Sequence, residues 1–222
     1  SVTCAATEWR ATVTDFAKTH SMGAFLILLV GLVPALVHAS GIDQFKSFLE
    51  TTRQARGVFS QSVVGKSGRK PQQSSGSFAF ARPGKFRWTY DKPFQQLLVS
   101  DSEKLWSYDP ELRQVTVSKL GKALGASPAA LLAGDALEEN FVIVDGGTAE
   151  GHEFVEATPK AKDGSFERVR IGFRDRLPRL MEVRDNFGQT TTLRLENLEA
   201  NPALPADLFR FVPPKGVDVV GD

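Results

Sequence analysis

The sequence predicts an α+β fold, mainly antiparallel β, built as a strongly curved sheet or barrel that two helices interrupt. Three observations carry this expectation. About ten short runs of strand-forming residues follow one another at hairpin spacing. Turn residues separate nearly all of them, and one clear amphipathic helix precedes them.

Taken in order, the first feature is an apolar run at 24–37 (AFLILLVGLVPALV). With Gly31 and Pro34 discounted it is about half the ~20 residues that span a bilayer. It ends in Val37-His38-Ala39, with small residues where a signal peptidase reads, and Arg10 and Lys18 lie upstream. The run reads as an export signal cleaved near Ala39, with a short membrane anchor as the alternative. Residues 1–39 are then an upstream segment plus signal, and 40–222 a single domain. Residues 1–21 are long for such a leader and carry Glu8 and Asp15, which makes Met22 a candidate start. Removal of 1–39 would take Cys4, His20 and His38 with it, leaving no cysteine to pair and one histidine, His152.

The amphipathic helix is expected at 42–55, with Ile42, Phe45, Leu49 and Thr52 at helical spacing, Phe48 widening the stripe and Gly57 ending it. A strand at 58–64 and a polar loop at 65–76 follow. Strands at 77–82 and 85–90 are broken by Pro83-Gly84. Three more, at 95–100, 104–108 and 112–118, are bounded by Asp91-Lys92-Pro93, Asp101-Ser102 and Asp109-Pro110. A short helix at 127–132 has Ser127 as N-cap and Pro128 in its first turn. Strands resume at 141–144, 153–157, 166–173, 179–184 and 189–196. A helical turn at 205–209 and an extended tail close the chain.

Charge and composition narrow the function. A formal net charge of +1 excludes the basic surface that phosphate backbones require. Sixteen Phe against two Tyr point to a need for aromatic area without polar tips. Catalysis would have to run through His152. No nucleophile elbow, metal-ligand spacing or glycine-rich phosphate loop accompanies it, and Asp101, Asp109 and Asp185 sit in turns where Asp serves the backbone. The expectation is therefore no enzyme, no cofactor and no metal.

The period of two places Phe78, Phe80 and Arg82 on one strand face, and Phe86, Trp88 and Tyr90 on another. In the next strand Leu97 and Val99, or alternatively Leu98, face the same way, followed by Trp106 or Tyr108. Two readings follow. Either the amphipathic helix closes an ordinary core, or helix and sheet close imperfectly around an apolar cavity. Arg82 would then stand at the edge of a dry interior, where unpaired carbonyls at helix ends are suitable acceptors. The alternative is a hairpin-end arginine reaching solvent.

These motifs resemble a known family. Residues 80–88 (FARPGKFRW), 101–108 (DSEKLWSY), Gln114-Val115-Thr116-Val117, Leu131-Leu132-Ala133, 185–190 (DNFGQT) and 209–219 (FRFVPPKGVDV) are similar to the periplasmic outer-membrane lipoprotein carriers, the LolA family. The likeness runs from about Phe45 to Val219. It implies an incomplete, strongly curved β-barrel (a half-barrel) with a helical lid over an apolar cavity. It implies that Arg82 locks the lid, and that residues matching Phe45, Leu49, Phe86, Trp88, Leu131 and Leu132 line lid or cavity. With the strand-face residues Phe78, Phe80, Leu97 and Val99, and with Phe59, these form the expected acyl-chain site. The implied partners are acylated lipoproteins as cargo, an inner-membrane ABC transporter that releases them and an outer-membrane receptor that accepts them, the carrier itself being a monomer. A generic periplasmic lipid binder, or a lipid-sensing regulator with the same half-barrel, is the competing reading.

Overall fold

The computed structural model describes residues 39–66, 70–120, 128–134, 137–161 and 166–221. The expected leader as far as His38, and the expected cap Ser127, lie outside them. Twelve strands form one sheet in the order β12-β6-β5-β4-β3-β2-β1-β11-β10-β9-β8-β7. The strands are β1 Gln54–Val64, β2 Gln72–Ala81, β3 Lys85–Lys92, β4 Gln96–Asp101, β5 Lys104–Asp109 and β6 Gln114–Lys119, then β7 Phe141–Ala149, β8 His152–Pro159, β9 Phe166–Arg174, β10 Leu177–Asp185, β11 Thr190–Ala200 and β12 Asp218–Gly221. β7 and β12 are the two edges, so the sheet is not closed.

Two antiparallel meanders, β1 to β6 and β7 to β11, meet where β1 pairs with β11. One cluster of buried side chains draws on both: Phe86, Trp88 and Leu105 from the first, Val155, Val169 and Phe173 from the second. A sheet whose distant strands share one core must curve around it.

Among the described residues three short α-helices, α1 Gly41–Thr51, α2 Pro128–Ala133 and α3 Leu137–Asn140, and a 3-10 turn at Ala206–Phe209 accompany the sheet. In α1 the Ser40 hydroxyl accepts from the Asp43 N–H (3.2 Å), a standard N-cap. Gly41, Gln44, Phe45 and Phe48 are buried at helical spacing, with Thr52 buried beyond them. The helix packs across β7 to β10. Its first residue must be glycine, because a Cβ on Gly41 would stand 2.0 Å from the Phe154 carbonyl oxygen. α2 packs instead on β2 and β3.

The observed elements differ from expectation in four places. α1 stops at Thr51 rather than near 55, because the chain turns extended at Thr52 and pairs from Gln54 onward with β2 and β11. The polar segment 72–76 is strand, since Ser and Gln there pair in register with β1. α3, of four residues, is too short to leave a periodic signal. The tail ends in β12, which adds in parallel to β6 and gives an otherwise antiparallel sheet its one parallel pair.

Candidate functional site

The inner face is built by alternation. Phe78 and Phe80 on β2 pair with Trp88 and Phe86 on β3, so all four point to the same side. Phe59 from β1 lies over the Trp88 ring with centroids 4.5 Å apart, and Phe78 stacks on it at 5.1 Å. From α1, Phe45 and Phe48 set their edges against Phe173 at 6.1 and 6.0 Å. Leu131 and Leu132 of α2 are buried in the same cluster, and Leu49 is half-buried against it. Among the described residues these side chains pack closely. The gap left between Phe45, Leu131, Phe141, Val155 and Ile171 has a volume of only about 10 Å³, barely enough for a single water. Of the two readings left open by the sequence, closed packing is the one seen.

Arg82 sits at the end of this face, where β2 turns into β3. Its Nε donates to the carbonyl of Thr52, the C-cap of α1, at 3.1 Å, and its Nη1 donates to the carbonyl of Gly134, just past α2. The guanidinium also lies over the rings of Phe48 and Phe80, at 5.1 and 5.2 Å. The turn adds a backbone bond, Gly84 N–H to the Ala133 carbonyl at 3.0 Å. Gly84 has φ +67°, a left-handed conformation that favours glycine, and a Cβ there would also push on the Leu120 side chain. One hairpin therefore satisfies carbonyls at the C-terminal ends of two helices, groups that every helix leaves unpaired.

The profile of the LolA family, described as outer membrane lipoprotein carrier protein LolA, matches residues 50–212. The chain is 56% identical over 192 residues to the outer-membrane lipoprotein carrier protein of Dechloromonas aromatica, covering 86% of this chain and 92% of that one. It is 48% identical to the protein of that name from Nitrosospira multiformis, covering 89% and 96%. The chain belongs to the LolA family. A crystal structure of a LolA superfamily protein from Nitrosomonas europaea shares the fold at TM-score 0.50 and 10% identity, over 78% of this chain and 98% of that one.

Two expected positions do not share the inner face. Leu97 and Val99 point outward, since Trp88 pairs with Leu98 and Phe86 with Ser100, which puts Leu98 inside. Both strand faces are apolar here, because the tail covers the outer one. Trp106 and Tyr108, paired with Val99 and Leu97, meet the Phe211 ring at 6.4 and 5.9 Å. The other expected residues, Phe45, Leu49, Phe59, Phe78, Phe80, Phe86, Trp88, Leu131 and Leu132, all belong to the inner cluster or pack on it.

Two anchors of α1 escaped the sequence reading. Asn201 ends β11 at φ +53°. Its Oδ1 accepts from the N–H of Arg53 at 2.8 Å, and its Nδ2 donates to the Thr51 carbonyl at 2.8 Å. Gln44, buried in α1, accepts from the Arg176 N–H at 2.9 Å and donates to the Ala39 carbonyl at 3.2 Å. An asparagine in a turn and a glutamine in a helix carry no local mark of such distant partners. His152 is buried at the start of β8, its Nε2 3.3 Å from Nη2 of Arg174. Burial, and secondarily Arg174, hold its pKa below the ordinary imidazole value. Among the described residues no group of three or more His, Cys, Asp or Glu is placed to hold a metal ion. No described helix is long and apolar enough to cross a membrane.

Proposed function

We propose that this protein is a periplasmic carrier rather than an enzyme, exported by the leader at 1–39, which ferries the acyl chains of lipoproteins through water. Cargo would come from an inner-membrane ABC transporter and pass to an outer-membrane receptor. Family membership supports this reading. The observation that carries it is an apolar interior, filled by the protein's own rings, whose covering helices are joined to the sheet hairpin by hydrogen bonds from Arg82.

The physical need is large. A triacylated lipoprotein carries on the order of 40 methylenes at ~0.8 kcal/mol each, so bare passage through water would cost tens of kcal/mol. A carrier must remove most of that cost and still let go. An interior that closes on itself does both. Displacing α1 and α2 opens apolar room for chains, and their return on release recovers the buried area. Arg82 acts as the lock of this lid, and the inner-face aromatics as the lining.

The test is capture. Membranes bearing a triacylated lipoprotein and an energised donor transporter are mixed with the purified protein, and the soluble fraction is assayed. A soluble complex near one to one is expected, and Arg82→Leu should keep its cargo when the acceptor is added. Capture of free fatty acid or phospholipid without any lipoprotein complex would refute the carrier and favour a lipid sensor.

A further inference from the structure

The inner face changes character along the sheet. Six residues from six neighbouring strands form one continuous row in register: Ser74, Gln61, Leu193, Met181, Ile171 and Val155. The row is polar on β2 and β1 and apolar from β11 onward. In the adjoining row the same switch puts Tyr90 and Gln96 opposite Leu195 across Phe59 and Gly76. The interior thus has one wall that stays apolar and one that turns to amides and hydroxyls beyond Phe59.

Against that polar wall lies a hollow of about 560 Å³, bordered by Gln61, Ser74, Tyr90, Gln96 and Asp109. Apart from Asp109 its polar groups are neutral and rich in donors. Tyr90 donates to Oε1 of Gln61 at 3.2 Å, which leaves the Nε2 donors of Gln61 for a ligand. Gln96 donates to the Ser107 hydroxyl at 3.2 Å. Burial raises the pKa of the Tyr90 phenol, so its hydroxyl stays protonated. No Lys or Arg is among the described residues bordering the hollow, and its one charge is the Asp109 carboxylate. The Tyr90 ring also meets Phe59, with centroids 5.1 Å apart, so the hollow borders the aromatic interior.

We infer that this hollow receives the neutral ester and amide groups that join a lipoprotein's acyl chains to its polypeptide, and that it disfavours phospholipids. The inference rests on the carrier reading. Ester and amide carbonyls leaving water need donors, and the Gln61, Gln96 and Ser74 side chains supply them, with Tyr90 holding Gln61 in place. A phosphodiester would bring a negative charge to a place with no cation and one carboxylate. Acyl chains that start at the hollow run past Phe59 onto the apolar wall.

Binding of three probes to the purified protein tests this: palmitate, a tripalmitoyl S-glyceryl-cysteinyl peptide and phosphatidylglycerol. The peptide should bind at least about tenfold more tightly than phosphatidylglycerol. The double variant Gln61→Leu/Gln96→Leu should lose about tenfold for the peptide and nothing for palmitate, while Ser74→Lys should gain about tenfold for phosphatidylglycerol. Tyr90→Phe removes a single hydroxyl and should lose about threefold for the peptide alone, a control if the double variant folds poorly. Equal binding of peptide and phosphatidylglycerol, or variants that leave the peptide untouched or weaken palmitate equally, would overturn the polar site while binding of the lipopeptide keeps the carrier reading. Failure of the parent protein to bind any of the three would overturn both.

Discussion

α1 and α2 both lie over the inner face, yet they are fastened in opposite ways. α1 is held along its whole length. Gly41 rests on the Phe154 carbonyl, Gln44 is bonded to the β9–β10 turn, its rings lock against Phe173, and Asn201 and Arg82 take its last carbonyls. α2 is held to the hairpin at one end, by Gly84 and Arg82. Arg82 is thus a shared tie, but α1 has other anchors when it is lost. The difference teaches that the two helices are unequally anchored among the described residues, α1 from end to end and α2 at its C-terminal end, so α2 is the easier of the two to displace.

The largest expected effect separates the two directly. Phe48→Ala should cost about 3–5 kcal/mol in urea unfolding, because its ring touches Phe80 and Phe173 in a site that cannot collapse. Leu132→Ala should sit at the low end for its type, about 2 kcal/mol, because α2 can shift to close the gap. Equal costs would break the comparison. Next comes Arg82→Leu. Amide exchange in 128–133 should rise about tenfold or more while exchange in 41–51 changes little. A uniform rise would show that the helices open together. Asn201→Ala leaves two backbone N–H groups and the Thr51 carbonyl without their partner, at a cost of about 1–2 kcal/mol, and should speed exchange at the end of α1 without touching α2.

The smallest effect is a pH dependence on the α1 side. His152 adjoins Arg174, close to the turn that binds Gln44. Its folded pKa is lowered, so below the usual value of about 6.5 the unfolded chain binds the proton first and stability falls with falling pH. Above that window both states are neutral and the contribution vanishes. His152→Gln should flatten the loss of stability between about pH 7 and pH 5. An unchanged slope would remove His152 as its cause.

Much of this was legible in the sequence, for physical reasons. Phe78-Ala79-Phe80 and Phe86-Arg87-Trp88 alternate cleanly, so the period of two assigned their faces correctly. Arg82, at the end of one such face and just before Pro83-Gly84, left two readings open, helix-end carbonyls or solvent, and its bonds to Thr52 and Gly134 decide between them. Leu97-Leu98-Val99 has no polar member to break the tie, and the reason became visible only with Phe211 lying on the outer face. The filled interior was not legible either. Alternation shows which side is apolar, but how completely α1 and α2 occupy it depends on shapes meeting across more than a hundred residues.

The β1–β11 pairing carries a lesson about assembly order. Each meander is made of neighbours in sequence and can form as it emerges, whereas β1 must wait for a strand that begins at Thr190. The described residues between β6 and β7 contribute helices, and the two halves join as one sheet along β1–β11 and, at the far edge, through the short β12 on β6. Severed between Lys119 and Phe141, the halves would meet again along a ready-made edge. Contact order predicts fast local pairing within each meander and slow long-range closure, and until β11 is made the outer edge of β1 stays unsatisfied.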